Sequence, residues 1–217
     1  MSPVRLNIGC GMTATPGWTN YDNSLSIRLA GYPTVIAGTL KTLGLVSGEQ
    51  AGYIDYCRQH DVRFCDAAAR IPHADGSVDV IYASHMLEHL DRARAARFLG
   101  EAKRVLAPDG TLRIAVPDLA KAVDSYKENG DADAFMENIL TAPPPLRTLK
   151  DRLRLLATGY RHHLWMYDGA SLCRLLAENG FSGPTILPKG ETTIPDPGRL
   201  DLTERASESV YVEAKKP

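Results

Sequence analysis

Three groups of residues in this 217-residue chain could do chemistry. The turn Gly9-Cys10-Gly11 ends the apolar run Val4 to Ile8 and lays bare backbone at the end of a strand, where a ligand can approach the main chain. Its loose G-x-G-x-x-G/A spacing, Gly9 to Ala14, also fits dinucleotide binding, and a tight turn with no ligand uses the same residues. Two acids, Asp22 and Asp66, follow candidate strands, and a carboxylate so placed can accept from paired hydroxyls or from an amine. The third group is Ser84-His85-Met86-Leu87-Glu88-His89-Leu90, joined later in the chain by His162 and His163. A histidine with an ordinary pKa of about 6.5 can take a proton from a hydroxyl. His89, then His163, then His85 and His162 are therefore the candidates for a general base. Glu88 with His89 could instead hold a divalent cation, and His89 could simply open a helix.

The elements that must position these residues alternate in type. Val4 to Ile8, Val62 to Cys65, Val78 to Tyr82 and Leu112 to Val116 are short β-branched runs that read as strands. Trp18 to Tyr21 is a weaker strand, because Met12 to Gly17 offers about half the dozen residues a parallel crossover usually needs. Residues 24–60 read as helical pieces, either a crossover covering the sheet or a lid over a pocket. Asp91 caps a helix running to Leu106, with Ala95, Phe98, Leu99, Ala102 and Val105 on one face, and Pro108-Asp109-Gly110 turns the chain after it. A Leu- and Arg-rich helix follows Pro143-Pro144-Pro145. Asp168 caps another helix over Ala170 to Glu178, with Gly180 suited to a left-handed end. Thr185 to Leu187 and Ser209 to Ala214 close the sheet. This alternation predicts an α/β fold: a doubly wound, Rossmann-like, mostly parallel sheet with helices on both faces and an antiparallel C-terminal strand.

Composition narrows the partners. A chain of this length, 44% hydrophobic and 24% charged, fits one domain over residues 1–217, with no apolar run long enough to span a bilayer. The start, MSPVRLNIGCG, leaves no room for a secretory leader, so a cytoplasmic location is expected. Cys10, Cys57, Cys65 and Cys173 form no CxxC pair and are expected as free thiols, with no resident metal. A net charge of −1 gives the whole molecule no electrostatic reason to bind nucleic acid. Locally, Arg147, Lys150, Arg152, Arg154, Arg161, His162 and His163 make residues 143–168 a basic arm, either a solvated helix face or a receiver for an anionic acceptor.

Read together, LNIGCG, GWTNYD, FCDAAARIPHADGSVDVIYASHMLEHL, RVLAPDGTLRIAVPD and LLAENGF resemble the class I S-adenosylmethionine-dependent methyltransferases over most of residues 5–181. The resemblance implies that Gly9, Cys10, Gly11 and Met12 wrap the methionine and ribose part of S-adenosylmethionine. It further implies that Asp22 takes the ribose hydroxyls, that Asp66 takes the adenine amino group with Ala67 beside it, and that Ser84 and His85 lie near the sulfonium. Asn7 departs from the acid common at its position, and Thr13 from a third glycine. Were the second strand misplaced, Asp55 or Asp61 could serve the ribose. The expected activity is O-methylation of a small molecule, sugar or glycan, with S-adenosylhomocysteine as coproduct and catalysis mostly by alignment. No Asn-Pro-Pro-Tyr segment, the mark of nucleic-acid amino methylation, is present. A nicotinamide oxidoreductase is the rival reading and needs a helix directly after the glycine turn, which Pro16-Gly17 opposes. A non-catalytic cofactor-binding protein of the same fold is the other.

Overall fold

The computed structural model describes residues 2–42, 46–141 and 162–217. Seven strands form one sheet: β1 (Arg5–Ile8), β2 (Thr19–Asp22), β3 (Arg63–Phe64), β4 (Val78–Ser84), β5 (Leu106–Pro117), β6 (Ser182–Leu187) and β7 (Ser209–Lys215). Their order across the sheet is β3-β2-β1-β4-β5-β7-β6. The first five are mutually parallel, and β7 is inserted antiparallel between β5 and β6. The expected mostly parallel sheet with an antiparallel C-terminal strand is therefore the observed one. Chain order reverses between β1 and β4, and at such a switch point the crevice beyond the carboxyl ends of the strands is where open α/β sheets bind ligands.

Alternation along the strands divides the core. Leu6, Ile8, Ile81, Ala83, Ile114, Val116, Val210 and Val212 face one side, where α4 (Arg92–Val105) covers them with Ala95, Phe98, Leu99 and Ala102. Leu172, Leu175 and Leu176 of α7 (Gly169–Glu178) complete that layer. Val80, Tyr82, Ala115 and Tyr211 face the other side and are covered by Trp18 and by Ile194 and Leu200 of the irregular segment between β6 and β7. Asp91 and Asp168 cap α4 and α7 as expected, each accepting the backbone N–H three residues on. Gly180 takes the positive φ of 78° foreseen for the end of α7. Among the described residues no helix is long and apolar enough to cross a membrane.

The short path into β2 is resolved without a helix. Residues 9–18 return as a loop, and β1 and β2 pair in parallel from Leu6 with Thr19 to Ile8 with Tyr21. Buried amides hold that loop. Asn7 Nδ2 donates to the Thr13 carbonyl at 3.0 Å and to Thr15 Oγ1 at 3.1 Å, while Asn20 takes the Thr15 N–H at 2.7 Å and donates to the carbonyls of Thr15 and Trp18. An acid at position 7 could make neither donation, so the departure at Asn7 has a structural reason.

Residues 24–60 are helical in pieces: α1 (Leu25–Ala30), α2 (Thr34–Thr42) and α3 (Gly48–Gln59). Ile27 and Cys57 pack with Cys10 and Val62, and Tyr56 accepts the Ala14 N–H through its hydroxyl at 2.9 Å. α1 and α3 thus buttress the glycine loop. Two helices carry no expectation from sequence, α5 (Leu119–Asn129) and α6 (Ala132–Asn138), capped by Asp118 and Asp131. The turn foreseen at Pro108-Asp109-Gly110 is instead a bulge inside β5, because Val78 pairs with Leu106 while Val80 pairs with Thr111. The basic arm at 143–168 lies largely outside the described residues, with Arg147, Lys150, Arg152, Arg154 and Arg161 among those not described.

Candidate active site

A cavity of about 800 Å³ opens at the carboxyl ends of β1, β2 and β4. Gly9 and Gly11 form its floor with positive φ values of 72° and 49°, a backbone region that side-chain-bearing residues rarely adopt. A Cβ on Gly9 would stand 2.6 Å from the Met86 side chain, so this glycine also allows β1 and the segment after β4 to close on each other. Asp22 ties the floor to β2. Its Oδ2 accepts the Gly11 N–H at 3.1 Å and its Oδ1 the Ser24 N–H at 2.8 Å, leaving each oxygen a further lone pair.

Asp66, Ala67 and Ala68 form one side of the cavity. Arg94, from the first turn of α4, reaches the Asp66 carboxylate at 2.8 Å. Asp22, Asp66, Ala67, Gly9, Gly11, His85, His89 and His163 thus all reach the cavity wall. Three other expected cofactor residues do not. The Cys10 side chain is buried in the α1–α3 cluster, where burial and then the Asp22 charge push its thiol well above the ordinary range. Met12 is 61% exposed and lies off the wall. Ser84 is buried at the end of β4, its hydroxyl without a partner among the described residues. The four cysteines are free thiols.

The opposite end of the cavity is a histidine corner. Arg205, from the segment before β7, lies 2.8 Å from His85 Nδ1, and Ser209 Oγ lies 2.8 Å from Nε2. A guanidinium can only donate, so Nδ1 is the accepting nitrogen and Nε2–H donates to Ser209. Both ring nitrogens of His85 are engaged. His89 Nδ1 lies 3.0 Å from the His162 carbonyl, which can only accept; Nδ1 therefore carries the proton and Nε2 is the free nitrogen of the neutral ring. His163 stands edge-on to His89 at 5.2 Å between ring centres. Burial holds its pKa below the ordinary histidine value, although the Glu88 charge works in the other direction. His162 contributes its carbonyl to the corner.

Sequence reasoning missed Arg94 and Arg205, and the apolar rim residues Met86, Leu90, Leu140 and Leu164. Arg94 falls in the first turn of α4, where polar residues are ordinary, and Arg205 sits in irregular chain at a positive φ of 52°, so neither carries a local signal. No helix follows the glycine turn, and the phosphate-binding helix terminus that a nicotinamide enzyme needs is absent from residues 9–18.

Residues 47–114 match the methyltransferase domain family. An O-methyltransferase of Aspergillus sclerotiorum, resE, is 29% identical over 158 residues, which cover 72% of this chain and 54% of that protein. The chain thus spans about half the length of that curated relative. Among solved structures, a S-adenosylmethionine-dependent methyltransferase from Thermotoga maritima superposes with a TM-score of 0.52 at 17% identity, covering 100% of this chain and 83% of that one. A S-adenosylmethionine-dependent methyltransferase from Methanosarcina mazei gives 0.51 at 15% identity, with 98% and 91% coverage. These likenesses are of fold. With the glycine turn and two acids at the carboxyl edge of a 3-2-1-4-5-7-6 sheet and a segment that matches the methyltransferase domain, the chain is similar in fold to the S-adenosylmethionine-dependent methyltransferases.

Proposed function

We propose that this protein methylates an oxygen of a small acidic acceptor, a sugar or glycan-type molecule included, releasing S-adenosylhomocysteine. The observation that carries the reading is that one cavity joins the glycine turn, both acids and the histidine corner. When bound, S-adenosylmethionine supplies a methyl group on a sulfonium. The floor at Gly9 to Met12 offers bare backbone to its amino-acid and ribose part. Asp22 has lone pairs left for two ribose hydroxyls, and Asp66 with Ala67 receives the adenine edge. Cys10 and Met12 serve through main chain alone, Ser84 by ending β4, and His85 at the far wall. The volume suits a nucleoside cofactor with a small acceptor, falling within the roughly 300 to 1,000 Å³ of ordinary ligand sites.

The acceptor hydroxyl meets the corner of His89 and His163, where the free Nε2 of His89 faces Glu88 and the cavity. His85 acts beside them by fixing the Arg205 guanidinium. Arg205 is also the cation on the wall that favours an acidic acceptor, and the basic residues of 143–168 add to that preference in the sequence. Met86, Leu90, Leu140 and Leu164 exclude water around the reacting atoms, and alignment of the two substrates carries most of the rate. The O-methyltransferase relative supports an oxygen acceptor. Calorimetry tests the cofactor half: S-adenosylhomocysteine should bind with micromolar affinity and NAD should not. A preference for NAD would end the reading.

A further inference from the structure

Glu88 lies beside the histidines of the cavity wall, and the proposed reaction leaves it without a task. It is fully buried, and both carboxylate oxygens lack a hydrogen-bond partner among the described residues. The groups that face it are also acceptors. His85 Nδ1, 3.4 Å from Oε1, accepts the Arg205 hydrogen bond and has no proton to give. His89 Nε2, 4.0 Å from Oε1, is the accepting nitrogen of the neutral ring, because Nδ1 is tied to the His162 carbonyl. His163, 5% exposed, presents a buried Nδ1 with no partner among the described residues. A buried carboxylate opposed by nitrogen lone pairs is unfavourable unless a cation lies between them.

We propose that Glu88, His89 and His163 hold a first-row divalent metal ion. Resting on the reading of this cavity as the methyl-transfer site, the proposal gives the corner its chemistry. One donor atom from each residue lies within 4.8 Å of the others, a separation that small side-chain rotations close onto a shared ion. Two imidazoles and one carboxylate suit Zn²⁺, Fe²⁺, Co²⁺ or Mn²⁺ better than Ca²⁺ or Mg²⁺, which prefer all-oxygen shells.

The supporting contacts are those of a ligand set held in place. The His162 carbonyl fixes the His89 tautomer and aims Nε2 inward, the usual outer contact of a metal-bound histidine. The Glu88 carbonyl accepts the N–H groups of Leu164 at 2.7 Å and Trp165 at 3.2 Å, and the His163 N–H donates to the Leu140 carbonyl at 3.0 Å. These bonds pin the strand 4 segment to the chain that brings in His163. Three protein ligands leave coordination positions open, and His89 and His163 border the cavity, so an acceptor hydroxyl can enter the shell. Bound there, the hydroxyl ionises at lower pH: the O–H bond breaks, its electron pair stays on oxygen and the proton passes to solvent water. His89 and His163 then act on the acceptor through the ion rather than as free bases.

The test uses the full chain after treatment with a chelator, titrated with Co²⁺ and followed by its visible ligand-field bands. One Co²⁺ per chain, displaced by Zn²⁺, is the expected result. Glu88→Gln keeps the shape of the buried side chain, and His163→Asn is a second, independent removal; each should weaken Co²⁺ binding at least about 10- to 100-fold with the thermal transition retained. No saturable uptake at millimolar Co²⁺, or unchanged uptake in both variants, overturns the proposal and leaves a shared proton as the cation of the corner. S-adenosylhomocysteine affinity measured on the same chelated samples separates the two readings. Cofactor binding without Co²⁺ uptake defeats the metal site alone, and Co²⁺ uptake without cofactor binding defeats the methyl-transfer reading.

Discussion

Arg94 and Asp66 are joined across the mouth of the cavity by a 2.8 Å ion pair between the first turn of α4 and the loop after β3. The pair orients the acid through Oδ1 and leaves Oδ2, the oxygen proposed to take the adenine edge, without a hydrogen bond among the described residues. Asp66→Ala should weaken S-adenosylhomocysteine binding by about 1 to 3 kcal/mol, the cost of leaving a polar ligand group unpaired. Arg94→Ala should cost less, since it loosens the acid without removing it, and the two effects should be non-additive in a double-mutant cycle by calorimetry. Unchanged affinity for Asp66→Ala would show that this acid does not touch the cofactor.

The glycine loop should be sensitive to the charge of the residue beneath it. Asn7→Asp exchanges two donated bonds for a buried carboxylate facing the Thr13 carbonyl and Thr15 hydroxyl. The expected loss is about 1 to 3 kcal/mol of stability, accompanied by weaker cofactor binding. Thermal melts with and without S-adenosylhomocysteine measure both, and a wild-type melting temperature would sink the account.

Close approach of Gly9 and Met86 makes a directional prediction. Gly9→Ala meets Met86 at 2.6 Å and also bears a positive φ, so it should lower both stability and cofactor affinity. Met86→Ala in the same chain removes the 2.6 Å contact with Met86 Cγ but leaves the Cβ at 2.7 Å and the φ strain. The double variant should therefore recover part of the lost stability in chemical denaturation, and full recovery would show that backbone conformation at Gly9 is unimportant.

The role proposed for Arg205 separates acceptor recognition from cofactor binding. Arg205→Ala should raise the KM for an acidic acceptor and spare S-adenosylhomocysteine affinity, which steady-state kinetics and calorimetry read independently. An unchanged KM would remove Arg205 from acceptor recognition.

Away from the cavity, Glu101 links α4 to the loop before β4. It accepts the Ile71 N–H at 2.9 Å and two bonds from Arg104 at 2.8 and 2.7 Å. The Arg104 side chain, with Ile71, holds its pKa down to about 2 against an ordinary 4.5. A carboxyl whose pKa is depressed on folding adds stability that is complete above the unfolded value and is lost as pH falls through the folded one. Glu101→Gln should therefore be less stable than wild type at pH 7, and the gap should shrink between about pH 5 and pH 2. Melts across that range check the sign. A gap that widens toward acid would contradict the assignment.

Much of the frame was legible in the residues themselves. Short β-branched runs mark β1, β3, β4 and β5, and the 3.6-residue spacing of Ala95, Phe98, Leu99 and Ala102 marks α4, because the pleat and the helical turn impose their periods locally. Strand ends in a parallel sheet share one edge, so Gly9, Gly11, Asp22, Asp66 and His85 could be placed together from order alone. What only the tertiary structure decided is where irregular chain goes. His163 meets Glu88 at a sequence separation of 75, and Arg205 meets His85 at one of 120. Loops carry no hydrophobic period to announce such meetings. Nor does a sequence reveal that a glutamate is fully buried without a donor among the described residues, or that Cys10 turns away from the cavity into α1 and α3. Those outcomes depend on which side chains the packed layers bring to each face, and the chain settles them only when it closes.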